Sequence, residues 1–253
     1  MGFVALMSLS LVSISCEKED DDNNTPAPTP TFGNMTLEFE HVYGADAFVI
    51  PSATFVNGSG ESVSFSTLNY YVTNIVLTKA DGSTWSEEES YHLIKVGAQS
   101  SVEIELENVP SGDYKAIEYT IGVDSLRNVS GAQTGALSPA EQMFWSWNSG
   151  YIFLKAEGQE SGGQAFTYHI GGFRNSNGTN ALQQINLAFG SMAATVSPNA
   201  TPVVHQSVNV AEFFDGHDPL SILTTPTVTM PGMMAVMISE NYHHMFEFEH
   251  VHN

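Results

Sequence analysis

From residue 35 onward the chain alternates apolar and polar positions with a period of two. Leu37, Phe39, His41 and Tyr43 alternate with Glu38, Glu40 and Val42. Val102, Ile104 and Leu106 alternate with Glu103, Glu105 and Glu107. Ile117, Tyr119 and Ile121 continue the rhythm, as do Phe166, Tyr168 and Ile170 against Thr167 and His169. Ile185, Leu187 and Phe189 come next, and then Val204, Gln206, Val208 and Val210. Successive side chains of a strand point to opposite faces, so each run predicts a half-buried strand. Residues 68–78 form a longer β-prone run, closed by the turn Ala80-Asp81-Gly82-Ser83. Many short runs punctuated by Gly, Pro, Asn and Ser predict an all-β fold. The expected architecture is an antiparallel β-sandwich with long connecting loops and one or two short helices.

Two stretches break this rhythm. The connection 122–149 is too long for a hairpin loop, and loops of that length usually carry function. It ends in Met143-Phe144-Trp145-Ser146-Trp147-Asn148-Ser149-Gly150-Tyr151, rich in aromatic rings. Upstream, Ser138-Pro139-Ala140-Glu141 reads as a capping box with proline at the first helical position. It predicts a helical turn that delivers Phe144 to Trp147, a break at Gly150 and a strand from Tyr151 to Glu157. The second stretch runs from Pro231 to about Met245. It predicts a helix with an apolar side of Met234, Met237, Ile238 and Met245. Thioethers bind Cu(I), but methionine serves more often as core filler, and the core reading is preferred here.

The N-terminal segment is of another kind. Residues 1–15 carry no charge, are mostly apolar or Ser, and end at the only cysteine, Cys16. The run is too short to span a bilayer and resembles a secretory signal. Ser15-Cys16 resembles a lipoprotein cleavage site, with lipid on Cys16. Residues 16–34 run through acids into Thr25-Pro26-Ala27-Pro28-Thr29-Pro30, an extended tether. Three parts are therefore expected: signal 1–15, lipidated tether 16–34 and one domain 35–253. The expected location is the outer membrane, facing the periplasm or the cell exterior.

Charge narrows the partners. Only 7 Lys and Arg face 28 Asp and Glu, for a net charge of −21. That argues against nucleic acid and against anionic lipid surfaces. It suits solubility, a bound cation or a basic partner. No Ser-His-Asp order, phosphate loop or cysteine-rich metal motif is present.

Nine histidines therefore stand out. His41, His169, His250 and His252 fall on predicted strands, and His205 lies opposite the apolar side of its own. Glu38-Phe39-Glu40-His41-Val42 recurs as Glu247-Phe248-Glu249-His250-Val251. If these two strands pair, His41 approaches His250. His250 and His252 share a face at strand spacing, a pattern common in copper and zinc sites.

Five stretches, in order, resemble the MbnP-like family: residues 37–44, 68–77, 122–128, 143–151 and 166–171. The C-terminal 245–253 also fits its lipoprotein members. The resemblance covers roughly residues 35–253. The family is named for a periplasmic protein of methanobactin operons. It is similar to surface proteins that bind copper with two histidines and a tryptophan oxidised to kynurenine by a dihaem, cytochrome c peroxidase-like partner. The resemblance implies copper on His41 and His169, with Trp145 or Trp147 as the modified ring. In the related proteins a ligand histidine stands two residues after that tryptophan, whereas here Trp147 takes that place after Trp145. Asp124 is a candidate for orienting an imidazole. His250 and His252 are added from strand spacing alone. The expected function is a copper-binding lipoprotein without catalysis of its own. Its rivals are a glycan- or protein-binding lipoprotein using exposed aromatics, and a copper redox enzyme.

Overall fold

The computed structural model describes residues 30–131, 133–146, 149–174 and 179–253. Ten of the strands carry most of the core and position the site. They are β1 Phe32–Tyr43, β2 Ser62–Lys79, β3 Ser101–Pro110, β4 Gly112–Ile121, β5 Phe144–Ser146, β6 Leu154–Glu160, β7 Ala165–Ile170, β8 Gln183–Ala188, β9 Val203–Asn209 and β10 Phe246–His252. Two helices matter, α1 Ser125–Asn128 and α2 Met233–His243.

The fold is all-β and sandwich-like, as expected. One sheet runs in the order β10, β9, β1, β3, and the other in the order β8, β4, β2, β6, β7. Most pairs are antiparallel, but β1 and β9 run parallel, Glu38 opposite His205. Such a pair needs a long crossover, which the chain between residues 43 and 203 supplies by building the second sheet.

Period-two patterning puts one face of each strand into the core. Met35, Leu37, Phe39, His41 and Tyr43 of β1 are all buried, and their chain neighbours are only half-buried. Phe39 meets Tyr119 of the opposite sheet edge to face, with ring centroids 5.9 Å apart. Phe246 of β10 packs against Tyr70 and Tyr119. Such offset aromatic pairs add roughly 0.5–1.5 kcal/mol each beyond the area they bury. Two polar ties also cross the core. The Tyr119 hydroxyl donates to Gln206 Oε1 at 2.8 Å, and His41 Nε2 lies 2.9 Å from the Tyr70 hydroxyl.

Three local expectations change. Ser138 does cap a helical turn, its Oγ accepting from Ala140 N, but the turn ends at Glu141. Gln142 adopts a left-handed conformation that no helix continues through. Phe144–Ser146 is then a short strand, β5, which pairs with Gly150–Tyr151 as a hairpin. The helix near residue 231 is confirmed as α2; of its expected apolar side Ile238 and Met245 are buried and Met237 packs against the core, Ala235 and Tyr242 join them, and only Met234 is exposed. A helix meets the sheet along one narrow stripe, and the Tyr242 hydroxyl fixes that stripe by donating to Ala181 O at 2.6 Å. The echoing strands do not pair: β9 lies between β1 and β10.

Candidate metal centre

His41 lies on the inner face of its sheet and is fully buried. Its Nδ1 donates to Ser100 O at 2.7 Å, and its Nε2 accepts from the Tyr70 hydroxyl. Burial holds the imidazole down at about pKa 4, against the lift from its backbone partners. Both ring nitrogens are thus engaged in the neutral ring.

His169 stands on β7 of the other sheet, alternating with buried Tyr168 and Ile170, so its ring faces outward. Its Nε2 meets Glu157 Oε1 at 2.7 Å. Burial pushes the Glu157 carboxyl up, but His169, Lys155 and Thr67 outweigh it and hold the group below its usual range. His41 and His169 therefore occupy different sheets, one facing in and one facing out, and they are not brought together.

Asp124 is the N-cap of α1. Its Oδ1 accepts from Leu126 N and Arg127 N, and its Oδ2 accepts from the Tyr91 hydroxyl at 2.5 Å. No imidazole is among these partners. Trp145 lies half-buried on β5, its ring edge close against Gly171. Trp147 and Cys16 lie outside the described residues.

The structure does unite His250 and His252, and it adds His205. The donor atoms of these three rings all lie within 4.8 Å of one another. His205 sits opposite His250 in the β9–β10 ladder. Their rings stack at 4.1 Å, and the His252 ring stands at 86° to both. Strand alternation alone does not put the three on one face. Phe246 and Phe248 pair with inward-facing Val208 and Gln206. A regular strand would carry the same parity on to His250 and His252 and turn both inward. Instead β10 bulges at Glu249, which has no partner on β9, and the parity reverses. His250 and His252 then emerge on the outer face beside His205.

Glu38 of β1 completes the cluster. Its Oε2 lies 2.8 Å from His205 Nδ1. Its other oxygen accepts from the Ser101 hydroxyl of β3. His205 Nε2, the atom left over, is buried and has no hydrogen-bond partner among the described residues. Native structures rarely leave such an atom unpaired, and a site for an ion is one standard explanation. An imidazole-only donor set suits copper, zinc, nickel or iron. The residues therefore fit a transition metal.

Sequence reasoning found His250 and His252 but did not choose His205 or Glu38 as site residues. The available signal was the outward phase of His205. A second trio, His217, Asp218 and Glu240, also converges within 4.8 Å, but His217 and Glu240 are exposed.

Comparison with known proteins agrees with this architecture. The MbnP family model matches residues 32–233. Among solved structures, MbnP from Methylosinus trichosporium superposes with a TM-score of 0.56 at 13% identity, covering 81% of this chain and 86% of that one. No curated protein matches. At that identity the superposition speaks for the fold, and the family match extends over most of the chain. The chain belongs to the MbnP family.

Proposed function

We propose that this protein binds copper through His205, His250 and His252, on the outer face of the β10–β9–β1–β3 sheet. The observation that carries the reading is the buried, unpartnered Nε2 of His205, beside two imidazoles on the neighbouring strand. Three neutral imidazoles suit copper in either oxidation state, and copper(II) outcompetes the other divalent first-row metals at a given nitrogen site. Family membership favours copper over zinc, because the family is named for methanobactin operons. The kynurenine ligand and the dihaem partner remain part of the proposal only through that resemblance. Trp145 packs on Gly171, just past β7 of the other sheet, so the three-histidine site stands without it.

The test is metal analysis of purified protein reconstituted with copper or zinc. One copper per chain is expected. Alanine at His205 or His250 should weaken binding by at least about tenfold, since even an orienting partner is worth that much. The double variant His41→Ala/His169→Ala should keep its copper. Loss of copper from that variant, with the three-histidine site intact, would overturn the assignment.

Export and lipid attachment at Cys16 belong to the same reading and rest on the sequence. An uncharged apolar leader precedes the single cysteine, and an acidic, Pro-rich tether comes after it. Cys16→Ala should appear in the soluble fraction of fractionated cells. Unchanged membrane association would count against lipidation.

A further inference from the structure

A line of polar groups crosses the whole outer face of one sheet. Ser101 on β3 donates to Glu38 on β1, Glu38 meets His205 on β9, and His205 faces His250 on β10. Each step joins adjacent strands. We infer that Ser101 and Glu38 form a positioning relay that fixes the tautomer of His205 and so selects Nε2 as its metal-binding atom. This rests on the metal reading of the three-histidine site.

Donors and acceptors along the line decide where the hydrogen sits. An ionised carboxylate only accepts hydrogen bonds. The His205 nitrogen facing Glu38 at 2.8 Å must therefore carry the hydrogen. In a neutral ring the lone pair is then left on Nε2, the buried atom that faces no partner. The opposite tautomer would set an Nδ1 lone pair against the carboxylate and bury an N–H without an acceptor. Both changes are unfavourable.

The carboxylate itself is held from its far side. Ser101 donates to Oε1, and that leaves Oε2 to aim at His205. Glu38 and His205 sit directly opposite each other in a parallel ladder, so backbone pairing sets the approach before any metal arrives. A carboxylate behind a ligating imidazole also raises its basicity. Glu38 acts through His205 and does not itself join the three donors.

Two measurements on the full chain test the relay. Nitrogen-15 NMR of the metal-free protein reads which ring nitrogen of His205 carries the hydrogen. Competition with a copper chelator reads affinity. In the native chain Nε2 should be unprotonated. Glu38→Ala should shift the ring toward the other tautomer and weaken copper binding about 10–100-fold. Glu38→Gln keeps the shape and an acceptor oxygen, so its effect should be smaller, and it serves if the alanine variant does not fold. Ser101→Ala should act in the same direction more weakly. A native Nε2 that carries hydrogen overturns the relay. So does a Glu38→Ala protein with tautomer and affinity both unchanged. If the native protein shows the fixed, Glu38-dependent tautomer yet takes up no copper, the metal reading falls while the relay stands.

Discussion

His41 and His205 sit on neighbouring strands and meet opposite faces of the same sheet. The inner ring has both nitrogens engaged. The outer ring has one nitrogen held and one with no partner among the described residues. Sequence spacing separates their faces, since His41 keeps step with the apolar side of β1 and His205 lies opposite that of β9, but it does not show what each ring meets. They differ in the groups that neighbouring strands bring against each ring. Burial, against the lift from its backbone partners, makes His41 a titratable weak point. Burial lowers its folded pKa to about 4, from 6.5 in the unfolded chain. Between those values the unfolded chain binds a proton that the native chain does not, so stability rises with pH there. The stability is fully present above about pH 6.5 and declines as pH falls through 4, by about 3 kcal/mol at most. In His41→Gln this part of the acid sensitivity should vanish. Urea midpoints measured from pH 7 to pH 4 check it, and parallel decline in both proteins would show that the source is elsewhere.

At the scale of elements, the strands were the most legible part. Alternation in β1, β3, β4, β7 and β9 gave both their existence and their buried face. Helix α2 was legible in place and its stripe in part: Ile238 and Met245 are buried and Met237 packs against the core, but Met234 is exposed. Methionines are spaced so that neighbouring stripes look equally apolar, and the burial of Ala235 together with the Tyr242–Ala181 tie marks the one that faces the core. The long connection after β4 reads as a loop yet is pinned at several points. The Tyr71 and Tyr151 hydroxyls donate to Ala136 O and Leu137 O, and Asn128 Oδ1 accepts from Tyr151 N. Those tyrosines come from strands on either side of the connection, and local sequence cannot announce such partners. Pairing of β1 with β9 was hidden for the same reason: it joins residues 167 positions apart, beyond the reach of local pattern.

Over the whole molecule, charge and histidines fall into one picture. Glu38 lies directly opposite Glu103 in the β1–β3 ladder, a like-charge pairing that ordinarily costs stability. Ser101 and His205 engage the Glu38 carboxylate and offset that cost. The −21 net charge gave a cation as one of several readings, but no residue-level address. The address depends on counting residues along β10. Its bulge works like a half-step in a staircase, deciding whether the last residues of the strand emerge inside or outside the sandwich. Chain length at this point therefore matters more than side-chain identity, and two single-residue deletions should behave in opposite ways. Removing Glu249 takes out only the unpaired step, so Phe248 stays inward, His250 stays opposite His205 and copper is retained. Removing Val251 instead puts His252 into the inward place of Val251, and binding should fall by at least about tenfold. Metal content of the two folded variants checks this. Loss of copper on removing Glu249 would mean that the extra twist of the bulge, and not merely its parity, brings the rings together.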